Sequence, residues 1–146
     1  MNLHGPKYDT ASLPYKVAVL CYLWDADGRI LMLHRKKLPN VDMYSPVGGK
    51  VEISRGESPH ECSVREVEEE TGVRARILRF AGVMQYLVQG RNKVVCFWDM
   101  EAVGPGVAKD DGEVAEVRWV SRDEALRLLS HEQNRELLRH LPDPSI

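Results

Sequence analysis

The chain has 146 residues, which is enough for one domain with a hydrophobic core and short for two. Its 43% apolar and 29% charged residues are typical of a soluble globular protein, and a net charge of −2 excludes the basic field that binds long nucleic acid. The longest apolar run, Val17 to Trp24, is far shorter than the roughly 20 residues of a membrane span.

The first third of the chain predicts a lead-in followed by strands. Residues 1–15 are rich in Gly, Pro and polar side chains, and they predict a partly disordered lead-in to one domain over residues 16–146. The runs Val17 to Trp24 and Arg29 to His34 flank an Asp-Gly turn, so they predict a hairpin. A short extended segment is expected from Tyr44 to Glu52.

A capped helix follows, and it is the clearest element in the sequence. Ser58 is suited to the N-cap, Pro59 to the first turn, and Glu61 to a capping box with Ser58. We expect the helix to run to Thr71 and to end at Gly72, because glycine readily adopts the left-handed conformation of a helix C-terminus.

The second half of the chain alternates strands with terminal helices. Strands are predicted over about 75–88, with a break at Gly82, over 93–103 and over 113–120, and residues 104–112 predict a loop. Ser121 opens a further capped helix, and a last helix carries Leu137, Leu138 and Leu141. The order of elements predicts the α/β class, with helices layered on a mixed β-sheet.

The three cysteines and the N-terminus predict where the protein works. Cys21, Cys62 and Cys96 form no CxxC pair, so they predict buried thiols in a reducing cytoplasm and neither disulfides nor a zinc site. The N-terminus lacks the apolar stretch of a secretory signal. Trp24, Trp98 and Trp119 are expected in the core.

The capped helix carries an acidic cluster that stability alone does not favour. Glu66, Glu69 and Glu70 fall within roughly 100° of one another on the helix surface, with Val64, Val67 and Thr71 on the opposite side. Like charges at these spacings repel by about 0.2–0.5 kcal/mol per pair, and the macrodipole disfavours anions in the last turns. A hard divalent cation would remove both penalties. A solvated acidic helix face is the alternative.

A resemblance to a known family favours the cation. The segment from Arg65 to Val73, REVEEETGV, resembles the core of the Nudix box at every fixed position, and Glu57 and the pair Gly48-Gly49 resemble its upstream half. Seven residues separate Gly49 from Glu57, two more than is usual in the family, with the extra residues around Ile53 to Arg55. The resemblance extends from about residue 16 to 141. It implies a Nudix-type α/β/α sandwich on a mixed β-sheet.

The resemblance also implies roles for the residues of the box. Glu66, Glu69, Glu70 and the backbone carbonyl of Gly48 would bind Mg²⁺, for which Mn²⁺ could substitute. Glu57 and Arg65 would support these ligands, and Glu52 lies near the same loop. A further carboxylate is expected before the last strand, as ligand or general base, and the candidates are Glu113 first, then Glu116 and Asp111. A tight turn is the alternative role for the two glycines.

The expected substrate is a small nucleotide cut by water at its diphosphate. Gly49, Lys50, Arg35 and Asn134 are the candidate substrate-binding residues, and Lys36 and Lys37 are further candidate phosphate ligands. The MutT-like branch, which hydrolyses nucleoside triphosphates including oxidised purine forms, is similar in the Gly-Gly-Lys segment and in Asn134, which would read the purine edge. An N-cap role is the alternative for Asn134.

Other substrates and one other class of function stay open. The alternatives within the enzyme class are ADP-ribose or nucleotide sugars and dinucleoside polyphosphates. The alternative outside it is a nucleotide-binding sensor module without catalysis, although such domains usually lose box glutamates. We expect no membrane partner and a monomer or homodimer.

Overall fold

The computed structural model describes residues 15–36, 41–103 and 115–142. Within these ranges, seven strands form one sheet and three α-helices pack against it. The strands are β1 (Tyr15–Trp24), β2 (Ile30–Arg35), β3 (Tyr44–Ser45), β4 (Val47–Lys50), β5 (Ala75–Val88), β6 (Arg91–Ala102) and β7 (Ala115–Val120). The helices are α1 (Pro59–Thr71), α2 (Arg122–Leu128) and α3 (Glu132–His140), and a single turn of 3-10 helix spans Ile53–Arg55.

The sheet is mixed, as predicted from the sequence. Its order is β3-β2-β1-β6-β5, with β4 paired to β1 and β7 paired to β2. β1 and β6 run parallel from Tyr15 opposite Asn92 to Trp24 opposite Glu101, and all other pairs are antiparallel. The predicted hairpin is confirmed, since β1 and β2 pair at Trp24 and Ile30. β1 therefore lies at the centre of the sheet, between β2 and β6.

Successive residues of β1 belong to two separate hydrophobic cores, because side chains alternate between the faces of a strand. Val19 and Cys21 pack in a core with Val67 of α1. Ala18 and Tyr22 pack in a second core that includes residues of α2 and α3. One helix therefore covers one face of the sheet and two helices cover the other, which confirms the α/β/α sandwich. We call the face covered by α1 the α1 face, and the face covered by α2 and α3 the α3 face.

Several boundaries differ from the sequence-based expectations. Tyr15, assigned to the lead-in, is the first residue of β1, and the state of residues 1–14 lies outside the described residues. β5 is not broken at Gly82. The strand continues through a register shift there, and Gly82 has φ of 150°, so an irregularity bends the pairing without ending it. The expected loop over residues 104–112 lies outside the described residues.

The burial predicted for the three cysteines is confirmed for two and wrong for the third, and one of the three tryptophans is fully buried. Cys21, Cys62 and Trp24 are buried, whereas Cys96 is partly exposed. Trp98 and Trp119 are partly buried and pack against the core of the α1 face. In the described ranges, no helix combines the length and the apolar character needed to cross a membrane.

Candidate active site

α1 begins and ends where its capping residues predict. Ser58 Oγ accepts a hydrogen bond from the Glu61 backbone N–H at 3.1 Å, and a Glu61 carboxylate oxygen accepts one from the Ser58 N–H at 3.1 Å. Pro59 is the first helical residue, and Gly72 closes the helix with φ of 73°. These contacts satisfy orphan backbone groups at both ends. The helix is thereby a defined support for the acidic residues in its C-terminal half.

Glu66 lies closer to the sheet than the helical projection predicted. Val67 and Thr71 are buried as expected, but Val64 is only partly buried. Glu66 is not on the side away from the core: its side chain is only 13% exposed, whereas that of Glu69 is 62% exposed. The alternative of a uniformly solvated acidic face therefore fails for Glu66.

Arg65 joins the carboxylates of three different positions. Its guanidinium donates to both oxygens of Glu57, at 2.7 and 3.0 Å, and to Glu66 Oε1 and Glu69 Oε2, each at 3.0 Å. The hydrogen bond from Arg65 holds the pKa of Glu57 below its usual range, and the same bond raises the pKa of Arg65. Arg65 also donates to the Lys50 carbonyl at 3.4 Å. It therefore ties α1 to the loop before it and to the end of β4.

The two additional residues of the box do not displace Glu57. The 3-10 turn Ile53–Arg55 is closed by Gly56, which has φ of 73° and donates its N–H to the Ile53 carbonyl. Glu57 Oε1 accepts the Glu52 N–H at 3.0 Å, which closes the loop from the other side. The compact turn absorbs the insertion, so Glu57 still reaches Arg65. Glu52 lies 4.0 Å from Arg65 and pairs more loosely with it.

The two glycines lie in a strand, so their alternative role in a tight turn is wrong. Both belong to β4, where Gly48 pairs with Leu20 and Gly49 with Val19. A Cβ on Gly49 would overlap the carboxylate of Glu66, and a Cβ on Gly48 would overlap Leu20 and the Val19 backbone. The missing side chains let β4 lie against the Glu66 carboxylate on the α1 face and against β1 on the α3 face.

Glu70 has an oxygen that no described residue satisfies. Its Oε2 is buried without a hydrogen-bond partner, which is costly for an anion. Burial, together with the negative charges of Glu66 and Glu69, raises the pKa of Glu70 to about 7, although the nearby positive charge of Arg35 opposes the rise. The pKa of Glu66 is also raised, mainly by burial. These two carboxylates, one helical turn apart, thus form a partly buried acidic pocket in which the Glu70 oxygen is unpaired.

The donor chemistry of this pocket fits a hard divalent ion. Carboxylate and carbonyl oxygens are the ligands that Mg²⁺ prefers, and a buried oxygen without a partner is available to one. Within the described residues, however, no three potential ligands converge closely enough to define a complete ion site. Arg65 occupies one oxygen of Glu66 and one of Glu69 in this arrangement.

A cleft of about 240 Å³ lies beside this pocket, at β4. It brings together four residues predicted from the sequence, Arg35, Gly48, Gly49 and Lys50. Two further residues, Tyr86 and Lys93, line it and were missed. Lys93 lies in β6 two residues before buried Val95, so both side chains are on the same face of the strand. A lysine on the core side of a predicted strand is the sequence signal that could have identified Lys93.

The other candidate residues lie apart from this cleft or outside the described residues. Asn134 lies three residues into α3 and is 5% exposed, and the N-cap of α3 is His131, so the N-cap alternative is wrong. Asn134 is on the α3 face and does not line the cleft, but its carbonyl accepts the Tyr22 hydroxyl at 2.8 Å. Glu116 pairs with Lys36 at 3.3 Å. Glu113, Asp111 and Lys37 lie outside the described residues.

Comparison with known proteins agrees with this fold and this box. The family model of the NUDIX domain matches residues 14–141. The chain therefore belongs to the Nudix hydrolase family, and its resemblance is to the MutT-like members. Nudix hydrolases generally use divalent metal ions and act on nucleotides.

Relatives differ in what they act on. NAD-capped RNA hydrolase NudC of Mycobacterium tuberculosis is 33% identical over 113 residues, covering 77% of this chain and 35% of NudC. An 8-oxo-(d)GTP phosphatase of Mycolicibacterium smegmatis is 30% identical over 110 residues, covering 75% of this chain and 32% of that protein. This chain thus spans about a third of the length of these curated relatives.

Solved structures support the fold. The crystal structure of the MutT protein from Methanosarcina mazei Go1 matches with a TM-score of 0.69 and 26% identity, over 88% of this chain and 93% of that one. Its length is therefore close to that of the present chain, unlike the two curated relatives.

Proposed function

We propose that this chain is a Mg²⁺-dependent pyrophosphohydrolase that cuts nucleoside triphosphates, including oxidised purine forms such as 8-oxo-dGTP, to the monophosphate and pyrophosphate. The observation that carries the proposal is the buried, unpartnered oxygen of Glu70 beside Glu66, next to a cleft lined by Arg35 and Lys50. A nucleotide phosphate chain and a divalent cation together would satisfy both sets of charges.

Glu66, Glu69, Glu70 and the Gly48 carbonyl would hold the metal. When bound, Mg²⁺ supplies charge neutralisation at the diphosphate and an acidified water for attack on phosphorus. Mn²⁺ would substitute, since it accepts similar oxygen ligands. Release of Glu66 and Glu69 from Arg65 would free their oxygens, while the bidentate contact with Glu57 keeps Arg65 in place.

The remaining residues act on the substrate itself. Arg35 and Lys50 would bind phosphate oxygens in the cleft, and the bare backbone of Gly49 would let the phosphates approach. Asn134 would read a purine edge from the α3 face. Glu113 would supply the additional carboxylate, as a ligand or a general base.

The substrate choice rests on similarity to known proteins. The NudC relative acts on NAD-capped RNA and another relative on 8-oxo-(d)GTP, and the alternatives within the enzyme class are ADP-ribose or nucleotide sugars and dinucleoside polyphosphates. The similarity to an 8-oxo-(d)GTP phosphatase, at 30% identity over 110 residues, supports the triphosphate substrate. We also infer a cytoplasmic location, supported by the buried thiols of Cys21 and Cys62, and a monomer or homodimer.

A substrate panel tests the proposal. Purified protein is incubated with canonical and oxidised triphosphates, ADP-ribose, nucleotide sugars and dinucleoside polyphosphates, with Mg²⁺, with Mn²⁺ and with excess chelator. We expect pyrophosphate release from triphosphates with either metal and none with chelator. Binding without any hydrolysis across the panel would instead establish a nucleotide-sensing module. Preferred hydrolysis of ADP-ribose would keep the enzyme class and overturn the substrate.

A further inference from the structure

Three lysines lie together at the edge of the cleft, on strands that are distant in sequence. Lys16 of β1 lies directly opposite Lys93 of β6 in the parallel register. Lys50 ends β4 and pairs with Ala18, two residues along β1 from Lys16. Lys50 and Lys93 line the cleft, and Lys16 and Lys50 line a neighbouring cavity of about 190 Å³. Lys50 thus lines both cavities.

This cluster has no counter-charge in the described part of the chain. None of the three lysines forms an ion pair with a carboxylate there, whereas two arginines of the neighbouring strand β5 do. Arg79 on β5 contacts buried Asp99 at 2.9 Å, and Arg76 pairs with Glu101. The lysines without such partners carry a cost in stability, because like charges directly opposite each other destabilise a sheet.

The ammonium of Lys93 is held in a setting that favours anion binding. Its Nζ lies 6.0 Å from the centroid of the Tyr86 ring, which supports the side chain over the cleft. Burial lowers the pKa of Lys93, and the charges of Lys50 and Lys16 lower it further. A bound anion would reverse both effects.

We propose that Lys16, Lys50 and Lys93 form a second anion subsite, which binds the phosphate chain of the substrate beyond the diphosphate held at α1. The inference deepens the proposed function and rests on it. A nucleotide sugar has only two phosphates, both needed at the metal, so it leaves this subsite empty. A nucleoside triphosphate or a longer polyphosphate fills it. The subsite therefore selects substrates by the length of their phosphate chain.

Direct binding tests the subsite without turnover. Affinities for inorganic tripolyphosphate and pyrophosphate are measured by calorimetry in the presence of Mg²⁺, which would hold two phosphates of either probe at α1, on the wild-type chain and on Lys93→Met. Met keeps the length of the side chain and removes its charge. We expect Lys93→Met to weaken tripolyphosphate binding by about ten-fold or more, the scale of one charged hydrogen bond, and to leave pyrophosphate nearly unchanged.

A matched control and a kinetic comparison complete the test. Arg127→Met removes a positive charge from the exposed side of α2, away from the cleft, and should leave both affinities unchanged. In hydrolysis, Lys93→Met should lower kcat/KM for dGTP by about ten-fold and that for ADP-ribose far less.

Two results would overturn the subsite. One is equal loss of pyrophosphate and tripolyphosphate affinity in Lys93→Met, and the other is no tripolyphosphate binding by the wild-type chain. A chain that binds tripolyphosphate through Lys93 but hydrolyses nothing would retain the subsite and refute the proposed hydrolase function.

Discussion

α1 and α3 are both highly charged helices, yet they manage their charges in different ways. On α3, Glu132 contacts Arg135 and Arg139 at 2.7 and 3.0 Å, and Glu136 contacts Arg139 and His140 at 2.8 and 3.1 Å. These side chains are mostly exposed, and hydrogen bonds from the basic partners lower the pKa of both glutamates.

On α1 the balance is reversed. One arginine serves several carboxylates, Glu70 keeps an unpartnered oxygen, and burial raises the pKa of Glu66 and Glu70. α3 therefore follows the ordinary rules of a solvated helix surface, in which ion pairs contribute little to stability. α1 departs from those rules, because a bound ligand would have to compensate its buried negative charge.

The largest expected effect separates the two helices directly. Glu69→Gln and Glu70→Gln each keep the size of the side chain and remove its charge. Turnover should fall by at least about 100-fold. Loss of a residue that only supports a metal ligand already costs up to about 100-fold, and these two glutamates would bind the metal directly. Metal-free stability should hold or rise slightly, because repulsion of about 0.2–0.5 kcal/mol per pair is relieved. Steady-state kinetics measure turnover, and melting curves recorded with excess chelator measure the metal-free stability.

Glu136→Gln on α3 is the matched control for these variants. It should leave turnover unchanged and lower the melting temperature only slightly, through loss of the contacts with Arg139 and His140. Unchanged turnover in both α1 variants would show that α1 is an ordinary charged helix like α3, and the proposed difference between the two helices would be wrong.

A smaller but still large effect is expected from Gly49→Ala. The added methyl group would displace the Glu66 carboxylate, and a shift of about 1 Å at a reacting centre can cost about 100-fold in rate. Gly90→Ala is the control, because its Cβ meets no atom within 4 Å while its φ of 77° still strains the backbone. Gly90→Ala should lower the melting temperature and spare turnover. Equal turnover in the two variants would remove Gly49 from the site.

Asn134→Ala has the smallest expected effect and tests whether α3 is purely structural. If Asn134 reads a purine edge, kcat/KM should fall about ten-fold or more for purine triphosphates and little for pyrimidine ones, since a base-reading hydrogen-bond pair contributes roughly 1–3 kcal/mol. Melting on the same sample reports any packing loss at this buried position. Equal losses for purines and pyrimidines would leave α3 as scaffold alone.

Local signals in the sequence were sufficient to predict α1 and its neighbourhood. The N-cap, the first-turn proline and the terminal glycine act within a few residues, so Ser58, Pro59 and Gly72 determine the helix without reference to the rest of the chain. The contact from Arg65 to Glu69 also follows from helical spacing. The bidentate contact with Glu57 required the folded loop.

Features that depend on the pairing of distant strands could not be predicted. The sequence does not reveal that β6 lies parallel to β1, so it cannot bring Lys93 opposite Lys16 or over the cleft. Nor does it reveal that Glu66 lies against a glycine strand, because helical projection ignores which element covers each side. Burial of Glu70, and hence its raised pKa, follows from the same packing.

The parallel pairing of β1 with β6 also bears on how the chain folds. Tyr15 lies opposite Asn92, so closing this pair requires a loop that contains β4 and all of α1. Such long-range closure is slow, whereas helix formation and local hairpins are fast. We expect α1 and the β5–β6 hairpin to form early and β1 to join β6 late. During synthesis the glutamate helix would then leave the ribosome well before the strand that completes the central sheet, and the cleft would form in one of the last steps.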